Sequence, residues 1–377
     1  MRSIYEGLVW WRNLLIGVVY RRVLKPVLFL FDPEDIHDLF TWTGRILGSN
    51  LITRNLTRLF FGYQHQSLVQ DVLGIKFNNP IGLAAGFDKD ALLTDVIPFV
   101  GFGFEEGGSI SGVPCAGNQR PRLWRLKKSK GLVVNYGLKN RGSEEISRRL
   151  NSKQFIFPIG TNVVMANMPE TLKLEVGIAD YVKAFKAFAH IGDYTTINIS
   201  CPNTYCGQPF HDADKLELLL TEIDKIETKK PVFIKITPDL DFSLVDDILD
   251  VAVRHRIAGF VCTNLTKNRQ NSKIVDKKIP TVGGISGMPV KDLADEMIKH
   301  IFRKAGHRFV LIGCGGVFTA EDAYRKIRLG ASLVQLITGM IFEGPQNISV
   351  INQGLVRLLK RDGFTHIKEA VGADNLI

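Results

Sequence analysis

What most constrains this chain is a set of eight short apolar runs, each closing on small or polar residues and each followed by a longer segment. The runs are Ile81–Gly86, Phe102–Ser109, Pro158–Val163, Tyr194–Ser200, Val232–Thr237, Ala258–Thr263, Phe309–Gly313 and Ser332–Thr338. Between them stand segments of helical period: Ile178–His190, Asp214–Ile226, Ser243–His255, Val290–Ala305 and Ala320–Leu329. Strands alternating with helices predict a parallel sheet with crossover helices. Eight such units closing on themselves form an α/β fold, the (β/α)8 TIM barrel, whose active site lies at the C-terminal ends of the strands. A doubly wound open sheet is the rival topology. The count of runs, and the lack of a GxGxxG after the first of them, favour the barrel.

Composition enters as a filter. Of 377 residues, 45% are hydrophobic and 23% charged, which excludes a disordered, collagen-like or disulfide-scaffold chain. The 48 Lys and Arg against 38 Asp and Glu leave +10, which suits an anionic partner such as a phosphate, a nucleic acid or an acidic membrane. No aromatic-basic RNA motif is present, so no nucleic-acid partner is expected. The cysteines, Cys115, Cys201, Cys206, Cys262 and Cys314, contain no CxxC pair, which predicts a reduced compartment and no metal site.

Residues 1–70 read as a helical region preceding a barrel over 71–377. From Met1 to Phe31, five cations (Arg2, Arg12, Arg21, Arg22, Lys25) face one acid, Glu6, among many apolar residues. The longest charge-free stretch there is Asn13–Tyr20, far short of the ~20 apolar residues of a spanning helix. No small-residue cleavage site follows, which argues against a removable signal. Trp10, Trp11 and Tyr20 beside Leu14, Leu15 and Ile16 suit a helix in a membrane interface; a helix packed on its own domain is the equal alternative. Asp32-Pro33-Glu34-Asp35 supplies a cap, a first-turn proline and first-turn acids, so a second helix should run to about Ile46.

Polar residues gather at the predicted strand ends: Lys89, Ser109, Asn162, Asn198, Cys201, Lys235, Thr263 and Asn264. Gly283–Gly287 and Gly313–Gly316 offer bare backbone NH groups, the second where barrels commonly cradle a phosphate. Each residue also has a plainer reading: surface lysine, turn-capping asparagine, tight-turn glycine, buried small cysteine.

Asn198-Ile199-Ser200-Cys201-Pro202-Asn203-Thr204 and Gly82-Leu83-Ala84-Ala85-Gly86-Phe87-Asp88-Lys89-Asp90 resemble the dihydroorotate dehydrogenase family. The likeness continues through Pro121–Leu126, Lys235–Asp239, Cys262–Asn264, Gly283–Gly287, Gly313–Gly316 and Ile341–Pro345. Phe31–His37 resembles the N-terminal extension of the membrane-associated, quinone-using class. The resemblance implies FMN-dependent oxidation of dihydroorotate to orotate in pyrimidine synthesis, with Cys201 as the base. It implies substrate contacts from Lys89, Asn198, Asn203 and Asn264, and FMN contacts from Ala85, Gly86, Lys89, Ser109, Asn162, Asn198, Lys235, Thr263, Gly287, Gly315, Gly316 and Thr338. A quinone tunnel would be lined by His37 and Arg125, on a protein held peripherally at the cytosolic face of an inner or cytoplasmic membrane by its N-terminal helices.

The sequence departs from the family pattern in places. Cys201 stands where the quinone-using class normally has serine, which leaves fumarate or a nicotinamide-linked partner open as acceptor. Val134, Leu265 and Ile337 replace usual polar residues, with Asn135 expected to reach the substrate in place of Val134. Two alternatives therefore stand: an oxidoreductase acting on a related dihydropyrimidine, and a non-catalytic flavin-binding protein docked on a membrane.

Overall fold

The eight runs pair side by side into a closed barrel. The computed structural model describes residues 2–202 and 207–375. Its barrel strands are β1 (Ile81–Leu83), β2 (Phe104–Ile110), β3 (Ile159–Val163), β4 (Tyr194–Asn198), β5 (Val232–Ile236), β6 (Ile257–Cys262), β7 (Val310–Cys314) and β8 (Ala331–Leu336). Each pairs in parallel with the next, and β8 pairs with β1, so the sheet has no free edge and the open-sheet rival is excluded. The helices Ala213–Asp224, Phe242–Arg254, Lys291–Ala305 and Ala320–Arg328 lie within a residue or two of their predicted places, whereas the one expected at Ile178 begins at Leu174.

Inward-facing side chains fill the barrel in layers. Phe104, Tyr194 and Phe233 form the lower one, and Phe77 meets Phe104 edge-on at 5.3 Å from a hairpin, Gln70–Val72 with Ile75–Phe77. Glycine on the neighbouring strand makes the room: a Cβ on Gly160 would sit 2.1 Å from the Tyr194 ring. Two residues further along each strand the layer turns polar, with Glu106, Thr196, Lys235, Gln335 and Asn162 all buried.

Glu34 and Asp35 backbone NH groups donate to the Asp32 carboxylate at the start of helix Pro33–Leu47, as the capping pattern predicted. Helix Arg2–Val19 lays Val9 and Asn13 against the C-terminal helix Asn347–Arg361, with Asn13 Nδ2 donating to Ser349 Oγ at 3.0 Å. Its opposite face exposes Ile4, Leu8, Trp11 and Leu15, each at least 65%. One face of this helix is thus packed on its own domain and the other is exposed and apolar. Among the described residues no helix is long and apolar enough to cross a membrane.

One expectation fails. Gly284–Gly287 is a strand, not a loop of bare NH groups: it pairs antiparallel with Gly131–Val134, which pairs in turn with Leu123–Leu126. A glycine pattern reports what a backbone is free to do; the partner that claims its hydrogen bonds lies some 150 residues away in sequence.

Candidate active site

The three-stranded sheet and the C-terminal strand ends enclose a cavity. Ala85, Gly86, Lys89, Ser109, Asn198, Cys201, Lys235, Thr263, Asn264, Gly287, Gly315, Gly316 and Thr338 all line it, so distant motifs converge on one space. Asn203 lies outside the described residues.

A directed hydrogen-bond chain orders its floor. Buried Glu106 accepts from Asn162 Nδ2 (2.7 Å), Gln335 Nε2 (2.9 Å), Thr196 Oγ1 (3.1 Å) and Tyr194 OH (3.2 Å). With its NH2 committed to that carboxylate, Asn162 offers its oxygen to the Ser109 hydroxyl. Ser109 Oγ then accepts from Asn198 Nδ2 at 3.0 Å, and Asn198 Oδ1 accepts from Ser200 Oγ at 2.9 Å and Asn264 Nδ2 at 3.4 Å. A carboxylate can only accept, so the polarity of every group above it is set from below. Both ends of the Asn162 amide are engaged here, by Glu106 and by Ser109, in the layer behind Ser109. Glu106 was missed because an acid in the middle of an apolar strand looks like an outward residue until the register is known; its spacing of two from Phe104 was the available signal.

Lys89 enters from the loop after β1, its Nζ 3.8 Å above the Tyr136 ring. Burial pulls its pKa from 10.5 to about 8. Its ammonium has no ion-pair partner among the described residues, and neither has that of buried Lys235. Tyr136, also missed, lines the same space, and its buried hydroxyl has no hydrogen-bond partner among the described residues. Around these groups Val134, Leu138, Pro202, Leu265 and Ile337 make an apolar wall. Asn135 does not replace Val134. Alternation along Gly131–Val134 sends the next side chain away from the cavity, where Asn118 Nδ2 donates to it at 3.1 Å.

On the far side, Gly315 and Gly316 follow β7 with φ of +123° and +68°, and a Cβ on Gly316 would lie 2.3 Å from that of Lys291. Only glycine fits there, leaving bare backbone beside Thr338, whose hydroxyl pairs with that of Ser286 at 2.9 Å. A second, apolar cavity lies between the barrel and the N-terminal helices, bordered by Tyr20, Phe29, Ile36, Phe40 and Met340. His37, Phe87, Leu123, Leu132 and Ile341 border both spaces. His37 Nε2 donates to the Phe87 carbonyl at 2.7 Å. Arg125 borders the apolar cavity and not the polar one, held by the Phe31 carbonyl at 2.8 Å, and so stands farther from the polar site than expected.

The sequence pattern of the family described as dihydroorotate dehydrogenase matches residues 67–359. A protein of Trichodesmium erythraeum named dihydroorotate dehydrogenase (quinone) is 35% identical over 95% of this chain and 99% of its own. One of the same name from Haloarcula marismortui is 38% identical over 93% and 98%. A crystal structure of DHODH from Eimeria tenella in complex with ferulenol superposes with a TM-score of 0.81 at 27% identity, covering 92% of this chain and 96% of that one.

Proposed function

The chain belongs to the dihydroorotate dehydrogenase family, and from that premise we propose that it oxidises dihydroorotate to orotate with bound FMN and passes the electron pair to a membrane quinone, a step of pyrimidine synthesis. The observation that carries this reading is the pair of adjoining cavities. One has a polar floor and two cations; the other is apolar; five residues form their common border.

The residues suit FMN. Gln335 keeps a buried carbonyl oxygen without a partner in the cavity lining, Lys235 offers an uncompensated cation, and Gly315 and Gly316 present backbone that any side chain would block. When bound, FMN supplies the hydride acceptor. Lys235 would set its cation against the flavin and so favour its reduced form. Ser109 and Asn198 would hold the flavin, with Asn162 orienting Ser109; Ala85, Gly86 and Thr263 would bound it, and Gly287, Gly315, Gly316 and Thr338 would hold the phosphate. Lys89 pairs with the substrate carboxylate, Asn198 and Asn264 read the ring amides, and Cys201 takes the ring proton adjacent to the hydride-donating carbon. Asn203 carries its substrate role on resemblance alone. His37 and Arg125 line the quinone's path. The stripe Ile4, Leu8, Trp11 and Leu15, with exposed Trp42, supports peripheral docking on a membrane.

Anaerobic mixing with dihydroorotate should bleach the flavin, and a quinone should restore its colour faster than fumarate does. Flavin-replete protein that stays yellow would reject the substrate; reoxidation by fumarate alone would reject the acceptor. The apolar wall of Val134, Leu138 and Leu265 favours a second reading, a related dihydropyrimidine with fewer polar edges. Bleaching by dihydrouracil but not by dihydroorotate would select it.

Lys89 gives a pH signature. A group titrating at about 8 loses its cation as pH rises, so orotate affinity should fall towards tenfold per unit above that value. Lys89→Arg, which cannot deprotonate, should flatten the dependence. Constant affinity of the native protein from about pH 7 to about pH 9 would remove Lys89 from the carboxylate site.

A further inference from the structure

We propose that the groove between strand Leu123–Leu126 and the loop at 277–280 is a headgroup site for an acidic phospholipid, placed at the outer side of the apolar cavity. Arg125, Lys127, Lys277 and Lys278 line it together with Trp124. The three lysines are exposed, and none of the four cations has a carboxylate at ion-pair distance among the described residues. The two nearby acids are otherwise engaged. Asp32 accepts from the Glu34 NH at 2.8 Å, and Asp276 accepts from Ser129 NH at 2.7 Å and Ser129 Oγ at 2.6 Å. Against the one acid that lines the groove, Asp32, which acts on Arg125 from beyond ion-pair distance, four cations leave a net positive charge, and their mutual repulsion is a cost that an anionic occupant relieves.

The surroundings say which anion. Pro33, Leu123 and Arg125 border both the groove and the apolar cavity, so a phosphate in the groove has its tail directed at apolar surface. Arg125 sits at that junction with its guanidinium 4.5 Å over the Phe29 ring, and Leu30 and Phe31 beside it are 80% and 58% exposed. A soluble phosphate accounts for the lysines and leaves the apolar rim unexplained; an amphiphile accounts for both. Trp124 matches the interfacial placement of tryptophan at a bilayer surface. This inference rests on the membrane-docking reading and adds to it a lipid class and a place.

The test uses the full flavin-loaded protein and vesicles of neutral phosphatidylcholine, with or without phosphatidylglycerol. Lys127, Lys277 and Lys278 are replaced together by Gln. Near an anionic bilayer each lysine contributes about a fivefold factor in binding, so the triple variant should bind the acidic vesicles roughly a hundredfold more weakly. Its binding to neutral vesicles and its flavin bleaching should be unchanged. A control replacing the exposed Lys186, Lys215 and Lys229 on the barrel's outer wall removes the same charge and should lose little. Equal loss in both variants, or none in the first, overturns the groove site while the docking reading stands. Displacement of acidic vesicles by millimolar inorganic phosphate at constant ionic strength would make the groove a soluble-phosphate site and also overturn it. Failure of the native protein to bind either vesicle sinks the docking reading itself.

Discussion

Cys201→Ala slows flavin reduction by dihydroorotate about 10²- to 10⁴-fold, the range lost when a positioned proton acceptor is removed. Flavin content and quinone reoxidation should stay as in the native protein, because Cys201 takes part in neither the proposed phosphate cradle nor the apolar cavity. Cys201→Ser separates position from acidity. A thiol ionises at ~8.5 when unperturbed and a hydroxyl far higher, so the serine variant should retain partial activity with a different pH dependence. Stopped-flow absorbance of the flavin band reads both variants. Native-like reduction in the alanine variant would show that another group takes the proton, and would turn attention to Lys89 and the Tyr136 hydroxyl.

Glu106→Gln tests the floor of the site without a large change in shape. The carboxylate accepts four hydrogen bonds from Asn162, Gln335, Thr196 and Tyr194 in a fully buried layer. Hydrogen bonds to a charged group contribute about 1.5–3 kcal/mol each, and an amide at 106 would place a donor where only an acceptor serves. With its amide oxygen at the Oε2 site the Gln keeps the bonds from Gln335, Thr196 and Tyr194 and sets its NH2 against the Asn162 Nδ2 alone, so a stability loss of about 2–5 kcal/mol is expected in urea or thermal unfolding. The functional effect has a defined sense. An NH2 at residue 106 turns the Asn162 amide over, which releases the Ser109 hydroxyl proton from Asn162 and points it into the cavity. Flavin affinity and the visible spectrum should therefore both change, and Glu106→Asp should restore the native spectrum in part. An unaltered spectrum with lowered stability alone would reduce Glu106 to a structural acid.

How legible was this site in the sequence? Residues at strand ends were readable because side chains in a strand alternate: once Tyr194 faces inward, Thr196 and Asn198 must follow, and the run closes at the C-terminal mouth. Glycines such as Gly316, whose positive φ excludes other residues, were readable for the same local reason. Resemblance to the family's motifs then singled out Lys89, Lys235 and Cys201 among many similar residues. The failures share a different cause. Asn135 turned away from the cavity because the strand before it, besides its local hairpin with Leu123–Leu126, pairs with Gly284–Gly287, and that second pairing spans some 150 residues of chain. The place of Asn162 at a strand end is visible in the chain, while the carboxylate that engages it from another strand is not.

The chain by itself determined the eightfold alternation, the capped helix at Pro33, the glycine cradle and the set of polar strand ends, because each follows from steric and periodic rules acting over a few residues. Tertiary structure alone decided which side chains share the cavity, which way the Glu106 chain of hydrogen bonds points, and how the apolar space meets the polar one. Those are contacts between segments 53 to 229 residues apart along the Glu106 chain, where packing and the need to satisfy buried polar groups choose among arrangements that local preference leaves equal.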